Sequence, residues 1–306
     1  MAPGFNPGRR GGTKQMAARI LITGAASVLG AEAVRRFAGA RVPVRAASHG
    51  VFVDERLSSP LVENVPFDFT DKELVSNALK NIDRVFLLLP LTSEMGEYAR
   101  IFINQAAISG VSHIVHVSFL SVEKIPMIKI ARWHHEAEDY LTESGISYTI
   151  LRPNIFMQQF TSLFSPSGGL IYLPFGKGAV SYVDARDAAL CAQEILMNAQ
   201  AHAGRIYRIT GSQKWNLHKA ASLITEVIGS HVMYADVSEE TSRDIMLSLG
   251  IPAWKADALL ELYALIRNGL LDDISRDYEE ITDTVPSLFL DFLRDYADVL
   301  RGLVEE

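Results

Sequence analysis

One short segment of the chain, residues 24–30, has the residue types and spacing to bind a phosphate-bearing ligand. It begins and ends on glycine, follows three apolar residues (20–22) and precedes an alanine-rich helical pattern (31–37). The expected structure is a buried strand, a tight turn and a helix N-terminus. The free N–H groups and partial positive charge of such a helix end favour a pyrophosphate. The segment therefore predicts a dinucleotide site.

The two terminal glycines and the residue midway between them define this site in more detail. Gly24 in the turn and Gly30 at the helix–strand contact stand where a side chain would clash. Ser27 replaces the glycine that usually lets the backbone approach the pyrophosphate, but its hydroxyl and N–H groups can still contact phosphate. The alternative is an ordinary strand-to-helix turn without a ligand. The cofactor contacts predicted here are Gly24, Ala26, Ser27, Val28, Leu29 and Gly30.

The end of the second predicted strand favours NADP(H) over NAD(H). Sites that prefer NAD carry an acidic residue there, which binds the ribose 2′-hydroxyl, whereas a basic residue accommodates a 2′-phosphate. This chain has Ser48 and His49, and both can hydrogen-bond a phosphate. Arg45 is expected to lie too deep in the strand, and Asp54 follows too late along the chain.

A sheet of parallel strands must position these residues. From residue 19 to 150, apolar strand patterns alternate with helical ones, and the run 84–89 is apolar on both faces after its first residue. Such runs are typical of parallel strands covered on both sides. We therefore predict an α/β fold: a doubly wound parallel sheet of the Rossmann type with a smaller, mainly helical C-terminal lobe.

The chain divides into three predicted parts. Residues 1–18 are expected to form a disordered tail, because they are rich in glycine and basic residues and poor in apolar ones. Residues 19–152 form the dinucleotide-binding domain. Residues 153–306 complete the sheet and form the smaller substrate lobe, which leaves a cleft over the carboxyl ends of the strands, where open α/β sheets bind ligands.

Composition narrows the classes of partner. The chain has 306 residues, 48% of them hydrophobic, and a net charge of −7, which argues against a nucleic-acid partner. No apolar run has transmembrane length, residues 1–15 lack the apolar centre of a signal peptide, and the lone Cys191 excludes a cysteine-based metal cluster. We expect a cytoplasmic monomer or homodimer with a small-molecule substrate, no metal and no membrane contact.

Four motifs, in their order along the chain, resemble the NmrA-like branch of the atypical short-chain dehydrogenase/reductase superfamily. They are the segments 23–30, 132–138 with 144–157, 181–189 and 207–211. The resemblance implies that the protein binds NADP(H) or NAD(H). Some members reduce quinones, dyes, imines or activated alkenes, whereas others bind a dinucleotide as sensors and catalyse nothing.

The resemblance also implies further cofactor contacts. Asp68 and Phe69, at the end of the third strand, match the adenine-edge contacts of the family, although they also fit a helix-entry acid beside a core phenylalanine. The other implied contacts follow the fourth strand, lie on the helix after the fifth strand, or line the nicotinamide pocket. They are Leu89, Pro90, Leu91, His134, Asn154 and Phe156.

The superfamily's usual catalytic pair, Tyr-x-x-x-Lys, is absent from the chain. In that pair the lysine lowers the tyrosine pKa, so that the phenol can protonate a carbonyl. His134 takes the position of the lysine and could bond the nicotinamide ribose or donate a proton near neutral pH. Alternatively, His134 pairs with Glu138 one turn later and merely stabilises the helix.

Ser118 and Tyr182 complete the predicted catalytic set with His134. Ser118 ends the fifth strand, where the resemblance implies a serine that bonds the substrate or orients the acid, although a serine there is also an ordinary turn former. Tyr182 belongs to a loop that can close near the substrate. Asp184 in the same loop is expected to cap the next helix. Six residues are expected to line an aromatic pocket, with core packing as the alternative: Trp133, Phe156, Met157, Phe160, Phe164 and Tyr182.

The predicted function is NAD(P)H-dependent transfer of hydride to a conjugated small molecule, such as a quinone, enone or imine. These acceptors are resonance-stabilised after they accept hydride and need little help from a protein acid, which fits the missing tyrosine. The protein then supplies orientation and a dry pocket. The alternative is a non-catalytic NADP(H)-sensing regulator that binds a partner protein.

Overall fold

The computed structural model describes residues 19–49, 59–120, 122 and 127–305. The predicted tail (1–18) and Asp54 lie outside the described residues. Apart from the two consecutive strands at 44–48 and 62–66, strands and helices alternate from residue 20 to residue 153, as the sequence predicts.

The described residues contain eleven β-strands. In chain order they are β1 (Ile20–Ile22), β2 (Val44–Ser48), β3 (Val62–Pro66), β4 (Arg84–Leu87), β5 (His113–Val117), β6 (Ser147–Pro153), β7 (Leu170–Leu173), β8 (Ala179–Val180), β9 (Arg205–Ile209), β10 (Trp215–Asn216) and β11 (Met233–Asp236). Seven of them form one parallel sheet with the order β3-β2-β1-β4-β5-β6-β9. β10 pairs antiparallel with β8, and β11 pairs parallel with β7. The predicted doubly wound parallel sheet is confirmed.

Eleven α-helices accompany the strands in the described part of the chain. They are α1 (Val28–Gly39), α2 (Lys72–Leu79), α3 (Met95–Ile108), α4 (Lys129–Glu143), α5 (Ala185–Met197), α6 (Leu217–Ile228), α7 (Glu239–Ser248), α8 (Ala253–Arg267), α9 (Asp277–Thr282), α10 (Phe289–Asp295) and α11 (Ala297–Glu305). Short 3₁₀ turns occur at Met157–Thr161, Ser167–Gly169 and Ala199–His202.

Both faces of the central sheet are covered by apolar side chains. Phe37 of α1 and Ile195 of α5 pack on one face, and Phe102 of α3 packs on the other. In β4, Val85 joins the cluster on the α3 face and its neighbour Phe86 joins the opposite cluster. The unalternating apolar pattern of this strand follows from burial on both sides.

The strand order reverses between β1 and β4. The chain moves outward from β1 through β2 to β3, and then returns to place β4 on the other side of β1. In open α/β sheets a crevice forms outside the carboxyl ends of strands at such a reversal, and ligands bind there. Residues 24–30 follow β1 directly, so they lie at this crevice.

Residues after 153 contribute to the sheet and also to a helical layer beside it. β9 pairs with β6, with Ile206 opposite Ile150, and completes the sheet. Leu217 of α6, Leu259 of α8 and Phe292 of α10 belong to the same apolar cluster as α3 and α4. The predicted smaller, mainly helical C-terminal part is therefore present.

The third strand differs from its predicted position. The apolar pattern predicted a strand at 65–69, whereas β3 spans Val62–Pro66 and pairs with β2. β3 is the edge strand of the sheet, and its side chains are exposed or half-buried. It therefore lacks the apolar run that marks a buried strand. Phe67 and Phe69 follow the strand and turn into the core.

A buried ion pair ties α4 to β6. The Nε and Nη2 groups of Arg152 donate hydrogen bonds to the two carboxylate oxygens of Glu138, at 2.9 and 2.6 Å. Both side chains are buried. Loss of one partner leaves the other charge uncompensated in a poorly hydrated environment, which is strongly destabilising.

We expect Glu138→Ala to lower the free energy of unfolding by about 3–5 kcal/mol, because the Arg152 charge is left buried. Urea denaturation followed by circular dichroism measures this loss. Glu97→Ala, which removes an exposed ion pair with Arg100 on α3, is the control. The control is expected to leave the free energy of unfolding unchanged, because exposed pairs contribute little. Equal losses in the two variants would contradict the role assigned to burial.

Candidate functional site

The turn after β1 requires glycine at two positions. Gly24 has a φ of 58°, the left-handed region that favours glycine. A Cβ atom on Gly30 would lie 2.1 Å from the carbonyl oxygen of Gly24. Thr23 joins the turn to the end of β4: its hydroxyl donates to the carbonyl of Leu88 at 2.9 Å and accepts from the Leu88 N–H at 2.8 Å. Glycine is therefore required at both ends of the segment.

Ser27 caps the helix that follows this turn. Its hydroxyl oxygen accepts from the N–H of Gly30 at 3.1 Å, and its own N–H donates to the carbonyl of Gly24 at 2.8 Å. The N–H of Ser27 already donates within the turn, whereas its hydroxyl hydrogen can still donate to a phosphate, so the predicted contact of Ser27 stays a prediction. The first-turn N–H groups of Val28 and Leu29 have no partner within the helix and remain to bind an anion.

A groove with a volume of 790 Å³ begins at this helix N-terminus and runs over the carboxyl ends of the neighbouring strands. Most of the predicted cofactor residues line it: Gly24, Ser27, Val28, Leu29, Ser48, His49, Asp68, Phe69, Leu89, Pro90, Leu91 and Phe156. Gly30 is buried beneath the turn, and Ala26 is exposed but outside the groove lining. The geometry fits a dinucleotide, because phosphate-binding N–H groups and an elongated groove meet at one edge of the sheet.

An aromatic pair forms the part of the groove next to β3. Phe69 stacks on Tyr98 of α3, with ring centroids 5.8 Å apart and an interplanar angle of 13°. Asp68 accepts hydrogen bonds from the Thr70 hydroxyl at 2.7 Å and the Thr70 N–H at 2.8 Å, and these bonds lower the pKa of its carboxyl group. A flat apolar surface beside a carboxylate suits an adenine ring. Sequence reasoning found Asp68 and Phe69 but missed Tyr98 and Thr70.

The end of β2 provides the groove wall that was expected to select the cofactor. Ser48 is buried, whereas the side chain of His49 is 87% exposed and its Nδ1 lies 3.6 Å from an Asp68 oxygen. Arg45 is not available to a ligand in the groove. Its guanidinium donates to the carbonyls of Ala78 and Lys80 at 2.9 and 2.8 Å and pairs with a carboxylate of β3.

A second cavity of 270 Å³ lies next to the groove and shares part of its lining, including Leu89, Val117 and Phe156. Its walls are mostly apolar, and the predicted site residues Ser118, His134 and Asn154 also line it. Of the six residues predicted to form an aromatic pocket, Phe156 and Phe164 line the cavity. The other four, Trp133, Met157, Phe160 and Tyr182, are buried in the core, which follows their alternative interpretation.

His134 lies on the α4 side of this cavity, where its ring stacks on Phe119 at 6.3 Å. Among the described residues its Nδ1 atom has no hydrogen-bond partner, and Glu138 binds Arg152 instead. Burial, with a smaller contribution from His116, lowers the pKa of His134 to about 3. The imidazole is therefore neutral near pH 7. The neutral imidazole can form a hydrogen bond with a ligand. It differs from the predicted imidazole, which would donate a proton near neutral pH.

Ser118 and Asn154 differ in the availability of their polar atoms. Ser118 is 4% exposed, and in the described structure its hydroxyl has no hydrogen-bond partner. The amide nitrogen of Asn154 donates to Ser181 Oγ at 2.7 Å and to the Leu271 carbonyl at 2.9 Å, and its oxygen accepts from the Ile155 N–H at 2.9 Å. Ser118 is thus free to contact a ligand, whereas the Asn154 side chain holds the surrounding loops.

Tyr182 is placed away from the site, which corrects its predicted catalytic role. The residue is 1% exposed, packs between Phe160 and Phe289 at centroid distances of 5.2 and 6.0 Å, and lines neither the groove nor the cavity. The sequence pattern placed it in a loop, but large aromatic side chains in loops often complete a core. The prediction for Asp184 is confirmed, because its carboxylate accepts from the Arg186 N–H at 2.8 Å and caps α5.

Several lining residues come from α8 and were missed as site residues. Lys255 lines the groove, and Leu259, Leu262 and Tyr263 line the cavity. The apolar residues of this helix recur at helical spacing, and its buried side chains include Leu259, Leu262 and Tyr263. A helix that packs on a core and a helix that borders an apolar cavity have the same apolar spacing. The sequence therefore does not indicate that this surface borders a cavity.

The fold and groove define the class of this protein as a dinucleotide-binding protein of the Rossmann type. The model of the NmrA-like family matches residues 16–285, and the chain belongs to that family. The predicted resemblance is thereby confirmed. Within the described residues there is no group of three or more histidine, cysteine or acidic side chains arranged to hold a metal ion. No helix there is long and apolar enough to cross a membrane.

Two relatives match over most of their length. The NAD(P)H azoreductase of Xenophilus azovorans is 28% identical over 280 residues, which cover 91% of this chain and 98% of the relative. Quinone oxidoreductase 2 of Escherichia coli is 30% identical over 213 residues, or 67% of this chain and 73% of the relative. Both names describe oxidoreductases, in agreement with the predicted enzyme class, whereas their substrates differ.

Solved structures of related proteins share the fold. An NADPH-dependent quinone oxidoreductase from Escherichia coli, complexed with NADPH, has a TM-score of 0.80 and 24% identity over 90% of this chain and 99% of its own. The triphenylmethane reductase of Citrobacter sp., complexed with NADP(H), has a TM-score of 0.78 and 23% identity, covering 91% and 99%. The negative transcriptional regulator Nmra, in complex with NAD, has a TM-score of 0.74 and 13% identity, covering 94% and 98%. At these identities the similarity shows the fold.

The first turn of α1 leads to a stability prediction. We expect Gly30→Ala to lower the free energy of unfolding by about 1–3 kcal/mol, because the added methyl group overlaps the Gly24 carbonyl and the helix must shift. Thermal and urea denaturation measure the loss. Gly39→Ala in the same helix is the matched control, since a Cβ there has no neighbour within 4 Å. If Gly30→Ala were as stable as Gly39→Ala, the close contact would not constrain the turn.

The neutrality of His134 can be checked directly. We expect its imidazole C–H resonance in the NMR spectrum to stay constant from pH 5 to pH 8, because burial keeps the pKa at about 3. The His134→Gln variant identifies the resonance. The control is the protein in urea, in which histidines titrate near their ordinary pKa of about 6.5. A native titration midpoint between 6 and 7 would contradict the assigned burial.

Proposed function

We propose that this protein is an NADPH-dependent reductase that delivers hydride to a conjugated small molecule in the cavity beside the groove. One observation carries the proposal: the groove and the apolar cavity share the wall formed by Leu89, Val117 and Phe156. A dinucleotide whose phosphates lie at the N-terminus of α1 would extend along the groove toward that wall. An acceptor in the cavity would then lie next to the reactive end of the cofactor.

The choice of NADPH over NADH rests on the end of β2. No acidic residue stands at Ser48 or His49, and the exposed imidazole of His49 can hydrogen-bond a 2′-phosphate. Asp68, an acid of the groove lining, follows β3 and not β2; its Oδ1 accepts both hydrogen bonds from Thr70, and its Oδ2 lies 3.6 Å from Nδ1 of His49. Ser48 and His49 offer the 2′-phosphate two polar groups, and the end of β2 lacks the carboxylate that usually binds a ribose diol.

The residues around the cavity support hydride transfer by positioning. NADPH, when bound, supplies the hydride and both electrons, and the protein supplies orientation and exclusion of water. Leu89 and Phe156 form an apolar wall between groove and cavity, and the hydroxyl of Ser118 and the neutral imidazole of His134 offer hydrogen bonds. Burial lowers the pKa of His134 and raises that of Tyr263, the two titratable residues in the described lining of the cavity, and this favours acceptors that need no strong protein acid.

The alternative is a dinucleotide sensor that binds a partner protein, a function for which the fold alone is sufficient. The cavity favours the reductase, because an apolar space of 270 Å³ beside the cofactor groove fits an organic acceptor and has no purpose in a sensor. A partner protein recovered with NADPH and lost without it would favour the sensor.

We expect the purified protein to oxidise NADPH in the presence of quinones or enones. Absorbance at 340 nm, with menadione and a set of enones as acceptors, measures the rate. Binding of NADPH is established first by calorimetry. A protein that binds NADPH and reduces none of these acceptors would contradict the proposed function.

The proposed role of His49 predicts a change of cofactor preference. We expect His49→Asp to raise the Kd for NADPH by about tenfold or more, because a hydrogen bond to a charged group is lost and a like charge is added. The Kd for NADH should fall, since the carboxylate can bind the ribose hydroxyls. His135→Asp on the exposed surface of α4 is the control with the same change of charge. An unchanged ratio of the two Kd values would contradict this role.

A further inference from the structure

One residue that lines the cavity beside the groove, Tyr263, carries a polar group that no motif identified. This residue lies on α8 and is 0% exposed. Its ring packs against Phe175 and Phe164, with centroids 5.0 and 6.2 Å away. Tyr263 lines the cavity, and among the described residues its hydroxyl has no hydrogen-bond partner.

A buried hydroxyl without a partner is costly, because it has lost its bonds to water. Such a group therefore needs an explanation, and a bound ligand is one. The hydroxyl of Tyr182 is also buried without a partner in the described structure, so this property does not identify a site by itself. The location separates the two residues: Tyr263 lines the cavity, whereas Tyr182 lies in the core.

Ser118 adds a second hydroxyl to the same cavity. Tyr263 approaches from α8 and Ser118 from the end of β5, and both hydroxyls lack a partner in the described chain. Most of the remaining walls are apolar, including Leu259 and Leu262. An apolar cavity with unpartnered hydroxyls on two of its lining residues is complementary to a conjugated molecule whose carbonyl oxygen can accept hydrogen bonds.

We propose that the Tyr263 hydroxyl donates a hydrogen bond to the oxygen of the acceptor and makes the cavity selective for carbonyl-bearing conjugated substrates such as quinones. This inference rests on the reductase function proposed above and names the substrate class of that site. Unlike the missing superfamily tyrosine, Tyr263 would stabilise the oxygen by a hydrogen bond without giving up its proton, and it lies on a different helix.

The phenol acts as a donor and keeps its proton. Burial raises the pKa of Tyr263 well above its usual value, so the hydroxyl stays protonated throughout the pH range of an assay. Reduction of a quinone to a hydroquinone takes up two electrons and two protons in total. The hydride brings both electrons and one hydrogen, water supplies the other proton, and Tyr263 stabilises the negative charge that develops on the oxygen.

The test compares two tyrosine-to-phenylalanine variants with two acceptors. When menadione accepts hydride, negative charge develops on a carbonyl oxygen. Malachite green is a cation that contains no oxygen and accepts hydride at carbon. We expect Tyr263→Phe to lower kcat/KM for menadione by about tenfold or more and to change the rate with malachite green by less than about twofold. Tyr182→Phe, which removes the other unpartnered hydroxyl, should leave both values within about twofold. Thermal denaturation should show that neither variant is less stable than the wild type.

A binding measurement keeps this inference separate from the proposed function. The Kd of menadione for the protein saturated with NADP⁺ requires no reduction, and we expect Tyr263→Phe to raise it by about threefold to tenfold and Tyr182→Phe to leave it unchanged. If the wild type bound menadione but reduced neither it nor any other acceptor, the reductase function would be overturned, while the Kd comparison would still decide the role of Tyr263. Equal effects of the two variants, equal losses for both acceptors, or no binding of menadione would overturn the inference.

Discussion

The contact between the first turn of α1 and the turn after β1 is the constraint on which the rest of the site depends. A methyl group at Gly30 would lie 2.1 Å from the Gly24 carbonyl, so helix and strand can approach this closely only with glycine at that position. The close approach directs the free N–H groups of Val28 and Leu29 toward the groove. It also fixes where the elongated groove begins, and therefore where its far end meets the cavity.

The sheet positions the other residues of the site relative to this turn. Thr23 ties the turn to the end of β4, and Leu89 follows β4 into the wall between groove and cavity. Ser118 follows β5, the next strand of the sheet. Because parallel strands place their carboxyl ends at one edge, residues distant in sequence converge there. The ion pair between Glu138 and Arg152 holds α4 on this side, and so positions His134 on the cavity.

The parts of this structure that could be predicted are those with a local sequence signal. The glycine spacing, the two-sided apolar pattern of β4 and the capping residue Asp184 each reflect a constraint within a few residues, and each is present as predicted. The edge strand β3 lacks such a signal, and its position was misjudged. Tyr182 and Tyr263 show the limit most clearly. Both are aromatic residues in apolar surroundings, and only the packing of distant helices decides which of them borders the cavity.

Different parts of the chain build the groove and one wall of the cavity. The phosphate-binding turn and the groove beside it are built largely by the first half of the chain, whereas one wall of the cavity is a helix that begins more than two hundred residues later and lies outside the sheet. Residues on that helix can be exchanged without disturbing the hydrogen bonds of the strands. Substitutions at Leu259, Leu262 and Tyr263 would therefore change the shape of the cavity without touching the turn at which the groove begins.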